Sequence, residues 1–331
     1  MLNLLVLVVL KYTNFFAKSF IDLTNVFGSK WKFAPIRFLV PIGISFYTLE
    51  IISYLTDVYR GTIKAEHNFA KVALYLSFFP QTMEGPIARF SETADDLYAG
   101  RGITFNNLKF GYQRIAWGLF KKMVVADRFY YMVSYIFSNY QKLDGSIMLV
   151  GAMAYTAQLY MEFSGGMDII IGSGQIFGIN LPENFRQPFA SKNASEFWRR
   201  WHITLGSWFR SYVYIPLGGS RVKTGLYVRN VIAVWMLTGL WHGASWNFVL
   251  WGAGFGVLLL CERFLWGKWL ERMPSIISHL YLLFIILLSF ILFSADTIPQ
   301  AMQRIGGLFG AGKLPVISVQ SVYYLRSYGL L

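Results

Sequence analysis

One cysteine, Cys261, occurs in 331 residues, so neither an intramolecular disulfide nor a cysteine metal cage can form. Within Leu258-Leu-Leu-Cys-Glu262 it reads as an inert buried thiol. Charge is equally scarce: charged residues make up 14% of the chain, against about 25% in a soluble domain. The four histidines are too scattered for a zinc site, and no His-Glu-x-x-His or Gly-x-Ser-x-Gly segment occurs. Gly172-Ser-Gly174 with Gly178 lacks the spacing and the strand-turn-helix setting of a dinucleotide loop. No metal and no bound cofactor is therefore expected. The apolar runs show no two-residue alternation, which excludes membrane strands and points to an all-α protein.

What fills the space is hydrocarbon and aromatic rings. Hydrophobic residues reach 55%, with 11 tryptophans, 20 tyrosines and 29 phenylalanines, a composition that suits membrane spans with interfacial aromatic belts. Candidate spans cover 1–17, 36–57, 69–83, 108–126, 147–177, 227–247, 248–266 and 277–296, with a shorter apolar piece at 129–138. The shortest are expected to tilt, re-enter or lie behind others, and the 147–177 run to bend at Gly165-Gly166. No small-residue cleavage site follows the first run, so Met1 to Phe16 reads as part of a span and not a signal peptide. One multi-pass integral domain over 1–331 is the simplest division.

The net charge of +13 sits mostly between apolar runs, which fits positive-inside bias and contact with membrane lipid rather than nucleic acid. The connection 181–229 carries eight basic residues and two acids, Glu183 and Glu196, and is expected on the cytoplasmic side. Asn193, with Glu196 three residues on, resembles a capping box opening a helix. On a continuous helix, Trp198, Trp201, Leu205, Trp208 and Tyr212 share one face and Arg199, His202, Gly206 and Arg210 another. Such a helix would lie in the interface, rings in the bilayer and cations toward water or a ligand.

His242 follows Trp241 near the end of an apolar run and shares a helix face with Thr238 and Trp246. Burial favours a neutral imidazole, which suits a general base acting on a hydroxyl; a structural histidine bonding a neighbouring helix is the equal alternative at this point. His202 could bind phosphate, orient a substrate, or sit solvated. Tyr47, Glu50, Tyr54 and Asp57 share one face of the second span; Tyr155, Gln158 and Glu162 share another on the long span, followed by Asp168. Acids inside a membrane face inward or onto a wet cavity, although hydrogen-bonded helix packing accounts for Glu50 and Asp57 as well.

Several segments, in order, are similar to the membrane-bound O-acyltransferase family, in the branch with alginate O-acetyltransferase and teichoic-acid D-alanyl transferase. They are Pro41-Ile-Gly-Ile-Ser-Phe-Tyr-Thr-Leu-Glu50 with Tyr54 to Gly61; Phe79-Pro80 with Gly85-Pro-Ile-Ala-Arg89; Gln158-Leu-Tyr-Met-Glu-Phe-Ser-Gly165 with Asp168; Leu181-Pro-Glu-Asn-Phe185; Phe197-Trp-Arg-Arg-Trp-His202 through Tyr214-Ile-Pro-Leu-Gly-Gly219; and Gly239-Leu-Trp-His-Gly-Ala244.

The resemblance implies a polytopic bacterial inner-membrane protein, a ring of transmembrane and re-entrant helices around a central tunnel. It implies His242 as the catalytic histidine and His202 as a second motif histidine on the cytoplasmic side. Trp198, Trp201, Arg199, Arg200 and Arg210 would then meet an acyl donor, acetyl-CoA or a carrier thioester. Glu162, Gln158, Asp168, Trp241, Thr238 and Glu50 would support the tunnel. The acceptor would be a cell-envelope or secreted polysaccharide, with a secreted or periplasmic acetyltransferase or a carrier protein as possible partner. The acyl group is expected to be acetyl, D-alanyl transfer being the close rival; a transporter or a non-catalytic scaffold is the answer of a different class. Ser211 stands where the family has an acid, Glu162 where an aspartate is common and Gly166 where a tyrosine is common. Family members carry further spans at both ends, so the chain is expected to be truncated relative to them.

Overall fold

A computed structural model describes residues 2–100, 102–311 and 315–328. Among these the regular structure is helical, with one isolated antiparallel bridge, Phe185 to Trp201, and no strand. The order is α1 (Leu2–Val26), α2 (Ile44–Tyr59), α3 (Phe69–Ser77), α4 (Phe90–Tyr98), α5 (Phe105–Leu119), α6 (Asp127–Ser138), α7 (Gly145–Ile176), α8 (Ala194–Arg200), α9 (Ile203–Phe209), α10 (Thr224–His242), α11 (Trp246–Cys261), α12 (Gly267–Arg272), α13 (Ser275–Ser294), α14 (Ile298–Leu308) and α15 (Val319–Tyr328). Wider π-type turns at Phe120–Ala126 and Glu262–Trp266 join α5 to α6 and α11 to α12.

Leu2–Val26, Trp246–Arg272 and Ser275–Ser294 are each long and apolar enough to cross a bilayer. Leu2, Leu5, Phe16, Phe20 and Leu23 of α1 are all more than half exposed, a surface that lipid, not water, can cover. The expected span at 36–57 is shorter in the structure. Its first residues run extended, and the helix starts only at Ile44, after Gly43 takes φ 77°. A Cβ there would lie within clash distance of the Thr82 carbonyl, so glycine lets the 78–89 loop press against the start of α2.

α7 stays one uninterrupted 32-residue helix, and the bend expected at Gly165-Gly166 does not divide it. Gly165 instead packs backbone to backbone against Gly118 of α5, and Gly172 does the same with Gly111 one heptad along. Small residues at such a spacing let two helices approach with little between them. α10 and α11 form a second close pair: a Cβ on Gly239 would meet the Phe248 carbonyl, and one on Gly252 the Trp235 carbonyl. This hairpin holds the last turn of α10, where His242 stands. Around it α8, α11 and α13 bury Phe197, Trp201, Trp251, Phe255, Ile286 and Phe290 in one core.

Candidate active site

The continuous helix expected across 193–212 breaks in two. Asn193 caps α8 through the Glu196 N–H at 2.8 Å, while the Glu196 carboxylate returns to the Lys192 N–H. After Arg200 the chain runs extended at Trp201 and left-handed at His202, φ 48°. That conformation costs about 1–3 kcal/mol in a non-glycine residue and persists only where the surroundings enforce it. Asn184 is the enforcer. Its buried side-chain oxygen accepts from the Thr204 N–H (3.0 Å) and hydroxyl (2.8 Å), and its backbone carbonyl accepts from the Ile203 N–H at 3.0 Å. His202 Nδ1 lies 3.4 Å from the same side-chain oxygen; in the tautomer with the proton on Nδ1 that oxygen accepts it and Nε2 keeps its lone pair. Thr204 in turn accepts from the Ile87 N–H. Three separated segments are thereby tied to one histidine.

The break also changes where the rings go. Trp201, Leu205 and Trp208 are buried in the protein, at 5%, 3% and 6% exposure. Trp208 donates its indole N–H to the Leu49 carbonyl. The ring face therefore builds the core and does not lie in the bilayer.

A cleft of about 710 Å³ opens beside this segment. Its lining passes from the exposed Arg199, Gly206, Arg210 and Arg263 to the buried His202 and Thr238 and the half-buried His242. The His202 and His242 ring centroids are 6.4 Å apart, farther than a direct hydrogen bond spans. Trp241, Trp251 and Phe293 stand edge-on to His242 at 5.1–5.4 Å between centroids. One imidazole is thus packed among rings and borders the cleft.

Of the residues expected at a donor site, Trp198, Trp201, Arg199 and Arg210 line this cleft. Arg200 does not: it pairs with Glu196 at 2.7 Å on the other side of α8. Thr238 lines the cleft with its hydroxyl bonded back to the Val234 carbonyl, and Trp241 packs against both histidines. The acids expected around a tunnel go elsewhere. Asp168 pairs with Arg114 (3.1 Å) and Lys121 (2.6 Å), Glu162 with Lys122 (2.7 Å), and none of them is among the residues lining the cleft. Glu50 is buried in α2 near Tyr75, and Gln158 is buried with its side-chain oxygen unpartnered. Ser211 accepts from the Arg89 guanidinium at 2.8 Å, so a neutral hydroxyl acceptor stands where the resemblance leads one to expect an acid.

Sequence reasoning missed Glu262, which lines the cleft and accepts from the Ala194 N–H at 2.9 Å, with Ser195 and Tyr281 as further donors. A carboxylate at the start of α8 satisfies orphan amides and complements the helix dipole. The neighbouring apolar run concealed it, and no local pattern announces a contact sixty-eight positions away. Among the described residues no group of three metal-binding side chains occurs.

Fold and site together define a helical membrane protein in which two histidines, forty residues apart, meet in a cleft whose exposed part carries Arg199, Arg210 and Arg263 beside Glu271. The chain belongs to the membrane-bound O-acyltransferase family, whose model matches residues 60–294. It is 38% identical over 310 residues to the probable alginate O-acetylase AlgI of Pseudomonas aeruginosa, covering 94% of this chain and 59% of that protein. It is 34% identical to the peptidoglycan O-acetyltransferase of Helicobacter pylori, over 91% of this chain and 62% of that one. The teichoic acid D-alanyltransferase of Bacillus subtilis is 28% identical, over 71% and 62%. The chain therefore spans about three-fifths of the length of these relatives.

Proposed function

We propose that this chain carries the acyl-transfer site of a membrane O-acyltransferase acting on hydroxyls of a cell-envelope or secreted polysaccharide, with acetyl as the acyl group. The observation that carries the reading is the convergence of His242 and His202 in one cleft whose exposed part bears Arg199, Arg210 and Arg263. Acetyl is favoured over D-alanyl because the acetylating relatives are the more similar, at 38% and 34% identity against 28%.

In this mechanism a thioester donor enters from the cationic part of the cleft, where guanidinium groups suit phosphate oxygens. His242 takes the proton of the acceptor hydroxyl as the oxygen attacks the thioester carbonyl. The carbon–sulfur bond breaks, and the departing thiolate recovers the proton. His202, held by Asn184, offers Nε2 to orient the reactants. General-base catalysis of this kind is worth about 10²–10⁴-fold. The basic connection 181–229 would put the donor entrance on the cytoplasmic side.

His242→Ala is expected to abolish transfer from labelled acetyl-CoA to polysaccharide in membranes while the protein still elutes as a folded species in detergent. Full activity in that variant would sink the reading. Transfer only from a D-alanyl-charged carrier protein would replace acetyl by D-alanyl.

A further inference from the structure

α1 lies ahead of the part of the chain that the family model matches, residues 60–294, yet it touches the catalytic end of α10. Helix carbonyls in the last turn have no partner within the helix. In α10 the Gly243 N–H closes the last backbone bond on Gly239, which leaves the Leu240 and Trp241 carbonyls beyond the ladder. Two consecutive side chains of α1 meet them. Tyr12 donates its hydroxyl to the Leu240 carbonyl at 2.7 Å, and Lys11 donates to the Trp241 carbonyl at 2.6 Å. Lys11 also donates to the Ser45 hydroxyl at 3.0 Å in the first turn of α2.

The same corner holds the Trp241 ring. Its indole N–H reaches the Ser45 carbonyl at 3.4 Å, Phe46 stands edge-on at 5.3 Å, and the Lys11 ammonium lies 5.8 Å from its centroid. Trp241 is the residue immediately before His242, and its ring centroid is 5.1 Å from the imidazole. A lysine in a spanning helix costs roughly 2.5–3.5 kcal/mol near the bilayer centre, and the other charges of α1, Lys18 and Asp22, pair with each other. Both hydrogen-bond acceptors of Lys11 are neutral, so ion pairing with them does not account for that cost.

We propose that Lys11, with Tyr12, is a positioning residue for His242: the pair pins the terminal turn of α10 to α1 and α2 and so sets where the imidazole stands in the cleft. The inference rests on the acyl-transfer reading above and adds to it a requirement for α1. Neither residue touches the reacting atoms. Their contribution is geometric, and a displacement of about 1 Å at a reacting group can cost on the order of 10²-fold in rate.

The test measures kcat and donor KM with labelled acetyl-CoA in membranes holding the full-length protein, for Lys11→Met, Lys11→Arg, Tyr12→Phe and His242→Ala side by side. Expected are a kcat lowered about 10–100-fold in Lys11→Met with donor KM within about twofold, the split that marks lost transition-state geometry and not lost donor binding. Lys11→Arg should recover most of the rate, and Tyr12→Phe should lose several-fold. If Lys11→Met does not accumulate as folded protein, Tyr12→Phe decides, because it removes a single hydroxyl. An inactive His242→Ala beside wild-type kcat in Lys11→Met, or in Tyr12→Phe where that variant decides, overturns this inference alone. A fully active His242→Ala overturns the functional reading and this inference with it.

Discussion

Arg199 and Arg200 are neighbours in sequence and opposites in use. Arg199 faces the cleft with one bond to Ser195, whereas Arg200 is neutralised by Glu196 on the same helix. Composition cannot separate two adjacent arginines; the rotation of α8 does. Arg199→Ala is accordingly expected to raise the donor KM about tenfold, near the ~1.5 kcal/mol of one hydrogen bond to a charged group. Arg200→Ala should leave it within twofold, since Arg200 pairs with Glu196 and is not among the residues lining the cleft. Michaelis constants for labelled acetyl-CoA on the two variants check this, and equal effects would remove the proposed donor face. His202 gives the same lesson from the other side. Its local sequence continues a helix without a glycine or proline to stop it, yet Asn184, eighteen positions earlier, holds it in the left-handed region.

At the scale of elements, two glycine-based helix pairs carry the architecture. α5 and α7 meet at Gly118 and Gly165, where a Cβ on Gly118 would lie 2.5 Å from the Gly165 carbonyl. The nearest obstacle is backbone, which cannot swing aside as the Ile169 side chain beside it could, so Gly118→Leu must part the helices. Overpacking of this type costs about 1–3 kcal/mol, expected as a clear fall in the thermal midpoint in detergent. Gly166→Leu, at a position where an added Cβ meets nothing within 4 Å, should change it little. If both glycines tolerate leucine equally, the close approach is not a determinant of the fold. The spacing of Gly111, Gly118, Gly165 and Gly172 is visible in the sequence, but Gly165-Gly166 alone suggests a hinge. The partner glycines on another helix reveal the packing role. The acids on α7 show a similar displacement: helical periodicity puts Gln158 and Glu162 on one face, whereas cations on α5 and the turn after it draw Glu162 and Asp168 into ion pairs away from the cleft.

Over the whole molecule, the exposed hydrocarbon of α1, α11 and α13 requires a bilayer, and the basic connection 181–229 is proposed to set the protein's direction in it. With Cys261 the only thiol, a Cys261→Ser background carrying Lys192→Cys reports that direction. A membrane-impermeant maleimide should label the exposed position 192 in inverted vesicles and not in intact spheroplasts. Labelling from outside would reverse the proposed entry side for the donor.

Helical class, membrane residence and the two histidines follow from the sequence alone, because they depend on quantities summed along a chain: hydropathy over some twenty residues, charge balance over a loop, rarity of a residue type. Lys11 as a support for His242, Glu262 as an anchor for α8, the fracture at Trp201-His202 and the division of labour between Arg199 and Arg200 come from tertiary structure. Each depends on which groups satisfy backbone amides and carbonyls left open at helix ends, and those partners arrive from positions up to 230 residues away. A linear pattern records what a segment can bury; only the packed chain decides which polar group meets which.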